Sequence, residues 1–124
     1  MVVQHTEDFT RHVFDVVDRR DAAGFGALFA AEGRFVFGNA EPTVGPTAIA
    51  AGVGAFFAGI AGLRHDTRNR WEVGTDTVAE SVVEYERLDG GRVRVPAVTI
   101  FTRDDAGRIT DYRVYVDLAP LFAP

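Results

Sequence analysis

The side chains able to carry chemistry in this sequence are few. His5, His12 and His65 are its 3 histidines, Tyr85, Tyr112 and Tyr115 its 3 tyrosines, and Ser81 its single serine. No cysteine occurs, and all 13 basic residues are arginine. There is therefore no thiolate nucleophile, no disulfide framework and no Cys-based zinc or iron–sulfur site. There is also no lysine for a Schiff base or a phosphate-binding loop. Ser81 lacks the glycine-flanked elbow that exposes a nucleophile. Catalysis is left to carboxylates, histidine, tyrosine, arginine or bound water. The histidines show no ligand-pair spacing, so neither a metal site nor a cofactor is expected.

Among these residues His65 stands out through its position. From Leu63 the sequence alternates: Leu63, His65, Thr67, Asn69, Trp71 and Val73 are interleaved with Arg64, Asp66, Arg68, Arg70 and Glu72. In an extended strand this parity puts the charges on one face and His65 on the other, beside Asn69 and Trp71. Histidine exchanges protons near neutrality, so a His65 facing an apolar interior is a candidate general base or hydrogen-bond donor. The structural alternative is a packed histidine satisfied by the Asp66 backbone or by a cross-strand glutamate. Trp71 is a candidate cavity wall or a core aromatic, and Asn69 and Tyr112 are candidate hydrogen-bonding groups for a carbonyl or hydroxyl. His12 is expected at a rim.

The elements that must position these residues follow from periodicity. Thr6–Arg20 carries Phe9, Val13, Val16 and Val17 at helical spacing, with Thr6 as the expected N-cap. Asp21 opens a second short helix through Ala22–Ala30, weakened by Gly24 and Gly26. Gly33–Phe37 reads as a strand, and after a turn-rich loop Pro46 starts a third helix, Thr47–Ile60, with Phe56 among its packing residues. The strand from Leu63 is followed by Thr77–Leu88, Arg92–Arg103 and Arg108–Val116. Hairpin signals stand at Asp89-Gly90-Gly91 and Asp104–Gly107, and the tail Asp117–Pro124 is punctuated by proline. Helices first and hairpin-linked strands after make this an α+β chain, a curved antiparallel sheet wrapped around three N-terminal helices.

The 124 residues fit one domain, 1–124. Hydrophobic residues at 47% and charged residues at 25% are ordinary for a globular protein, and no apolar run suffices for a membrane span. The net charge of −5 with dispersed arginines argues against nucleic acid and anionic membranes as partners. The polar, acidic stretch Met1–Asp8 does not read as a signal peptide, and a cytoplasmic location is expected.

Several motifs together resemble the SnoaL-like group of the nuclear transport factor 2-like superfamily. They are Leu28-Phe-Ala, Gly45-x-x-Ala-Ile49, Leu63-Arg-His65, Tyr85 followed by Asp89-Gly-Gly-Arg, Val95-Pro96, Gly107-Arg-Ile109, Tyr112-Arg-Val-Tyr-Val-Asp117 and Pro120-Leu-Phe. The resemblance implies a cone of curved sheet closed by three helices. Its activities range over polyketide cyclases, ketosteroid isomerases, epoxide hydrolases and non-catalytic domains. The ketosteroid isomerase pattern expects a tyrosine and two aspartates where this sequence has Val13, Phe37 and Val98. The epoxide hydrolase and cyclase patterns expect an aspartate where Val114 stands. None of these four exchanges a proton. Asp117 matches a Tyr-x-Asp element and is expected to cap the chain end.

With Val98 and Val114 taken as cavity-facing, Arg94, Pro96, Val98 and Ile100 point inward, as do Tyr112 and Val116. Val95, Ala97, Thr99 and Phe101 then form an outer apolar face, expected to mediate a homodimer. On Thr77–Leu88 neither parity is clean, so Glu80 and Glu84 either look into the cavity or are rotated out by a bulge. Two functions stay open. In the first, a cofactor-independent enzyme cyclises, isomerises or hydrates a small, mostly apolar polyketide- or terpenoid-like molecule. His65 transfers the proton, Glu80 or Glu84 orients it, and Asn69, Trp71, Tyr112, Val98, Val114, Phe37 and Phe56 surround the substrate. The second is a non-catalytic ligand-binding or structural dimer of the same fold.

Overall fold

The computed structural model describes residues 6–124, with side chains from Phe9 onward. His5 and the Thr6 side chain, the expected N-cap, lie outside the described residues. Helix α1 spans Thr6–Asp18, α2 Ala22–Gly26 and α3 Pro46–Ala58. The strands are β1 (Phe29–Phe37), β2 (Thr43–Val44), β3 (Ile60–Val73), β4 (Asp76–Arg87), β5 (Arg92–Arg103) and β6 (Ile109–Val116), and a short α4 covers Ala119–Phe122. The sheet is six-stranded, ordered β2-β1-β6-β5-β4-β3. Every pairing is antiparallel but that of β1 with β6, which is parallel. The result is an α+β fold with a curved, unclosed sheet and helices packed into its concavity.

Local chemistry accounts for the element ends. Asp21 caps α2 by accepting a hydrogen bond from the Gly24 N–H at 2.9 Å. Pro46 occupies the first turn of α3, where its missing N–H costs nothing. Gly26 allows α2 to touch α3, since a Cβ there would lie 2.6 Å from the Pro46 carbonyl oxygen. The second helix ends at Gly26 instead of continuing to Ala30. Phe29 and Ala30 instead open β1, where Phe29 is buried and pairs with Ile109. The tail bends at Asp117, whose Oδ1 accepts from the Ala119 N–H at 3.0 Å, as expected of a cap.

The core lies between the helices and the inner sheet face. Val13, Phe25, Ile49, Val53 and Phe57 meet Ala79, Val83, Phe101, Ile109 and Tyr112, all buried. On β4 the inward set is Thr77, Ala79, Ser81, Val83 and Tyr85. Directly opposed residues of an antiparallel pair share a face. The register Ala79↔Thr99, Ser81↔Ala97 and Val83↔Val95 therefore puts Val95, Ala97, Thr99 and Phe101 inside. This reverses the parity expected for β5. The residues expected to form a dimer face are core and cavity wall, and Arg94, Pro96, Val98 and Ile100 point outward. The reason is legible in β4, whose small and aliphatic residues fill the concave side while Glu80, Glu84 and Glu86 stay on the convex side. On β6 the expected parity holds at Tyr112, which is buried and stacks on Phe101 at 5.9 Å.

A second correction concerns β3. Thr67 pairs with Ser81, but Asn69 pairs with Glu80, so one extra residue, Arg68, is inserted between them. Such a bulge reverses the facing of everything beyond it. Leu63, His65 and Thr67 look into the concavity with Tyr85, Val83 and Ser81, whereas Asn69 and Trp71 follow Glu80 and Val78 to the convex face. Trp71 is accordingly 51% exposed and is neither a cavity wall nor core.

Candidate active site

The site begins on α1. Phe14 and Asp18 are one turn apart and project from the same side of the helix toward β3. The ring of Phe14 stacks on the His65 imidazole, with centroids 4.3 Å apart and planes 11° from parallel. Asp18 Oδ1 lies 2.7 Å from His65 Nδ1, and Oδ2 accepts from the His65 backbone N–H at 3.0 Å. Both side chains are largely enclosed, His65 at 11% and Asp18 at 23% exposure. An ionised carboxylate can only accept, so the short contact needs the imidazole proton on Nδ1. In the neutral ring Nε2 then carries the lone pair, and it has no hydrogen-bond partner among the described residues.

His65 lines a cavity of about 200 Å³ between the helices and the inner sheet face. Its walls are mostly apolar, with Phe35, Phe37, Phe56, Leu63, Val83 and Val114 prominent. Phe37 and Phe56 meet edge to face at 4.9 Å. The polar groups besides His65 include Tyr85, Tyr112 and Thr99. Burial, and secondarily the negative charge of Asp18, pushes Tyr85 up to about 12. Burial likewise holds Tyr112 far above the usual phenol range. A hydrogen bond from the Thr99 side chain opposes that shift, and Asp18 and Tyr85 add to it. At neutral pH both phenols keep their protons and can donate hydrogen bonds. The cavity thus combines a proton acceptor with a fixed tautomer, two protonated phenols and mostly apolar walls, the combination needed to move a proton on a carbonyl-bearing molecule.

The expected orienting carboxylates are elsewhere. Glu80 is on the convex face, where it accepts from Asn69 Nδ2 at 2.6 Å. Glu84 is on the same face among Arg64, Arg92 and Arg94, at 3.6, 3.3 and 3.5 Å. Neither reaches His65, because both have the outward parity of β4. Asn69, Trp71 and Val98 are likewise outside the cavity, and Phe37, Phe56, Val114 and Tyr112 line it. His12 is exposed on α1. Asp18 is the site residue that the sequence marks least, its only signal being the i, i+4 pair it forms with Phe14 beside the apolar stripe of α1. Tyr85, which stands in the family motif before Asp89-Gly-Gly-Arg, adds a second phenol to the cavity.

The SnoaL-like domain matches residues 10–112, most of the chain. The chain belongs to the SnoaL-like family. Three solved structures resemble this SnoaL-like protein in fold. A nuclear transport factor 2-like protein of unknown function from Burkholderia pseudomallei is 17% identical, with a TM-score of 0.83 over 96% of this chain and 95% of that one. ActVI-ORFA from Streptomyces coelicolor is 20% identical, with a TM-score of 0.74 over 90% and 94%. SalBIII, an epoxide hydrolase/cyclase-like enzyme with a role in pyran ring formation in the polyether salinomycin, is 15% identical, with a TM-score of 0.77 over 91% and 91%. Among curated protein sequences none matches. Of the positions where family patterns expect proton-exchanging residues, Val13 is core, Phe37 and Val114 line the cavity and Val98 is outside it.

Proposed function

We propose that this SnoaL-like protein is a cofactor-independent acid–base enzyme acting on a small, mostly apolar polyketide- or terpenoid-like metabolite. The observation that carries the reading is the 2.7 Å contact between Asp18 and His65 Nδ1 on the wall of an apolar cavity. His65 Nε2 takes a proton from the carbon beside a carbonyl, and Asp18 stabilises the imidazolium that results. Tyr85 and Tyr112 donate hydrogen bonds to the enolate oxygen. Return of the proton to another carbon completes an isomerisation. Attack of the carbon on a second carbonyl of the same molecule, with the imidazolium returning its proton to the new alkoxide, completes a cyclisation. In a hydration of a conjugated carbonyl Nε2 instead takes the proton from water as its oxygen adds and returns it to the carbon beside the carbonyl. SalBIII, which shares the fold, is connected with ring formation, and that agrees with the cyclisation branch.

A binding-only reading draws on one specific observation, the apolar Phe37 and Val114 at cavity positions where relatives are expected to hold acids. Deuterium exchange separates the two readings. In D2O the wild-type protein accelerates exchange of the protons beside the carbonyl of 2-tetralone, a compact bicyclic ketone, and His65→Ala removes the acceleration while leaving the circular dichroism spectrum unchanged. Equal exchange rates with wild type and His65→Ala would leave only the binding reading.

A further inference from the structure

The cavity beside His65 is smaller than the roughly 300–1,000 Å³ usual for sites that enclose a metabolite, and part of its wall is shared with an open groove. Pairing of β5 with β6 stops at Ala97↔Val116, whereas β5 runs on to Arg92 with only β4 beside it. The chain leaves β6 at Asp117 and folds into α4 across the resulting slot. Arg87 holds this tail in place, its Nη1 donating to the carbonyls of Leu121 at 3.1 Å and Ala123 at 2.6 Å, and Leu121 is buried. Between tail and strand lies an open groove of about 1200 Å³ whose apolar lining includes Pro96, Val98, Tyr115, Leu118 and Phe122.

Groove and cavity are continuous in their walls. Phe37, Ala40, Phe56 and Ala97 line both. The edge-to-face pair Phe37 and Phe56 therefore stands at the boundary between the cavity and the open groove. The charged side chains on the groove are already engaged: Glu80 with Asn69, Arg94 with Glu84, and Asp117 with the Ala119 N–H. Tyr115 and Phe122, in contrast, expose 54% and 61% of their surfaces. The exposed rings offer contact to an uncharged apolar chain, while the carboxylates of Glu80 and Asp117, bonded only to neutral donors, keep their charge and disfavour an anionic one.

The geometry points to an elongated substrate, with its reacting head beside His65 and an uncharged apolar tail passing Phe37 and Phe56 into the groove at the open edge of β5. This rests on the cavity as the substrate site and defines the substrate class further. The tail is the occupant of the groove because the groove continues the cavity wall and the cavity alone is too small.

A series of 4-alkylphenols from ethyl to octyl tests it by calorimetry on the intact protein. Affinity is expected to rise by about fourfold per added methylene through the octyl member. Tyr115→Asp and Phe122→Asp, both at exposed groove positions, flatten the rise beyond butyl and leave 4-ethylphenol binding unchanged. Two variants guard against one failing to fold. A plateau at butyl in the wild type would overturn the proposal. So would an unaltered rise in both variants, or absence of 4-ethylphenol binding. Sedimentation supplies the remaining arm: a dimer that Tyr115→Asp dissociates without changing the alkyl dependence makes a second copy the occupant and overturns it as well. Loss of proton exchange at His65 has no bearing on these outcomes, so failure of the catalytic reading and failure of the tail site are separable.

Discussion

Asp18 accepts two hydrogen bonds from His65, one from its backbone N–H and one from ring Nδ1, across 47 residues of sequence. The helix and the strand are joined at the residue with the proton chemistry. An acidic side chain at the C-terminal end of a helix is poorly placed with respect to the helix dipole, and the two N–H groups of His65 offset that.

Asp18→Asn keeps the shape and turns an acceptor oxygen into an N–H₂ group facing a donor. We expect a loss of about 1–3 kcal/mol in stability, from chemical denaturation. We also expect at least about tenfold slower ketone exchange, since a mis-set tautomer removes the base. Unchanged exchange in a folded Asp18→Asn protein would show that the carboxylate does not orient His65.

Tyr85 titrates near 12 in the folded chain against about 10 in an unfolded one. Its folded-state pKa is raised, so its contribution to stability is complete below pH 10. That contribution is lost as the pH rises from there through about 12, because the unfolded chain releases the proton first. Denaturation midpoints measured from pH 9 to 12 should fall in the wild type and fall less steeply in Tyr85→Phe. Parallel curves would refute the burial of the phenol.

The bulge at Arg68 makes a spectroscopic prediction, because Trp71 is the only tryptophan in the chain. Its emission should be that of a solvated indole and should be quenched readily by acrylamide. Blue-shifted, protected emission would restore the uninterrupted alternation that places Trp71 inside.

Glu80→Gln and Glu84→Gln alter only the convex face. Ketone exchange should stay within about twofold of wild type, and stability should shift by no more than about 1 kcal/mol. A large loss of exchange in either variant would return the glutamates to the site.

Much of this architecture is legible in the sequence. The helix-then-strand order, the hairpins at Asp89–Gly91 and Asp104–Gly107, and the inward side of His65 all follow from local period and turn chemistry. What escaped depends on a single residue or a distant partner. Arg68 adds one residue without disturbing the local alternation, so Asn69 and Trp71 read as neighbours of His65 although the bulge sends them outward. Phe25, Leu28 and Phe29 have helical spacing, yet pairing with Ile109 draws Phe29 into β1. On β5 both parities contain apolar residues, so only the register against β4 decides between Val98 and Thr99. Asp18 is an unremarkable helix-end acid until β3 arrives beside it.

The proton chemistry at the cavity wall turns on an unprotonated His65 Nε2, with Asp18 holding the ring proton on Nδ1. The most direct measurement is the ¹⁵N spectrum of histidine-labelled protein, with the His65 signals assigned by their disappearance in His65→Gln. Neutral His65 is expected to show a protonated Nδ1 and an unprotonated Nε2, and Asp18→Asn to lose this preference. A neutral His65 with its proton on Nε2 would contradict it.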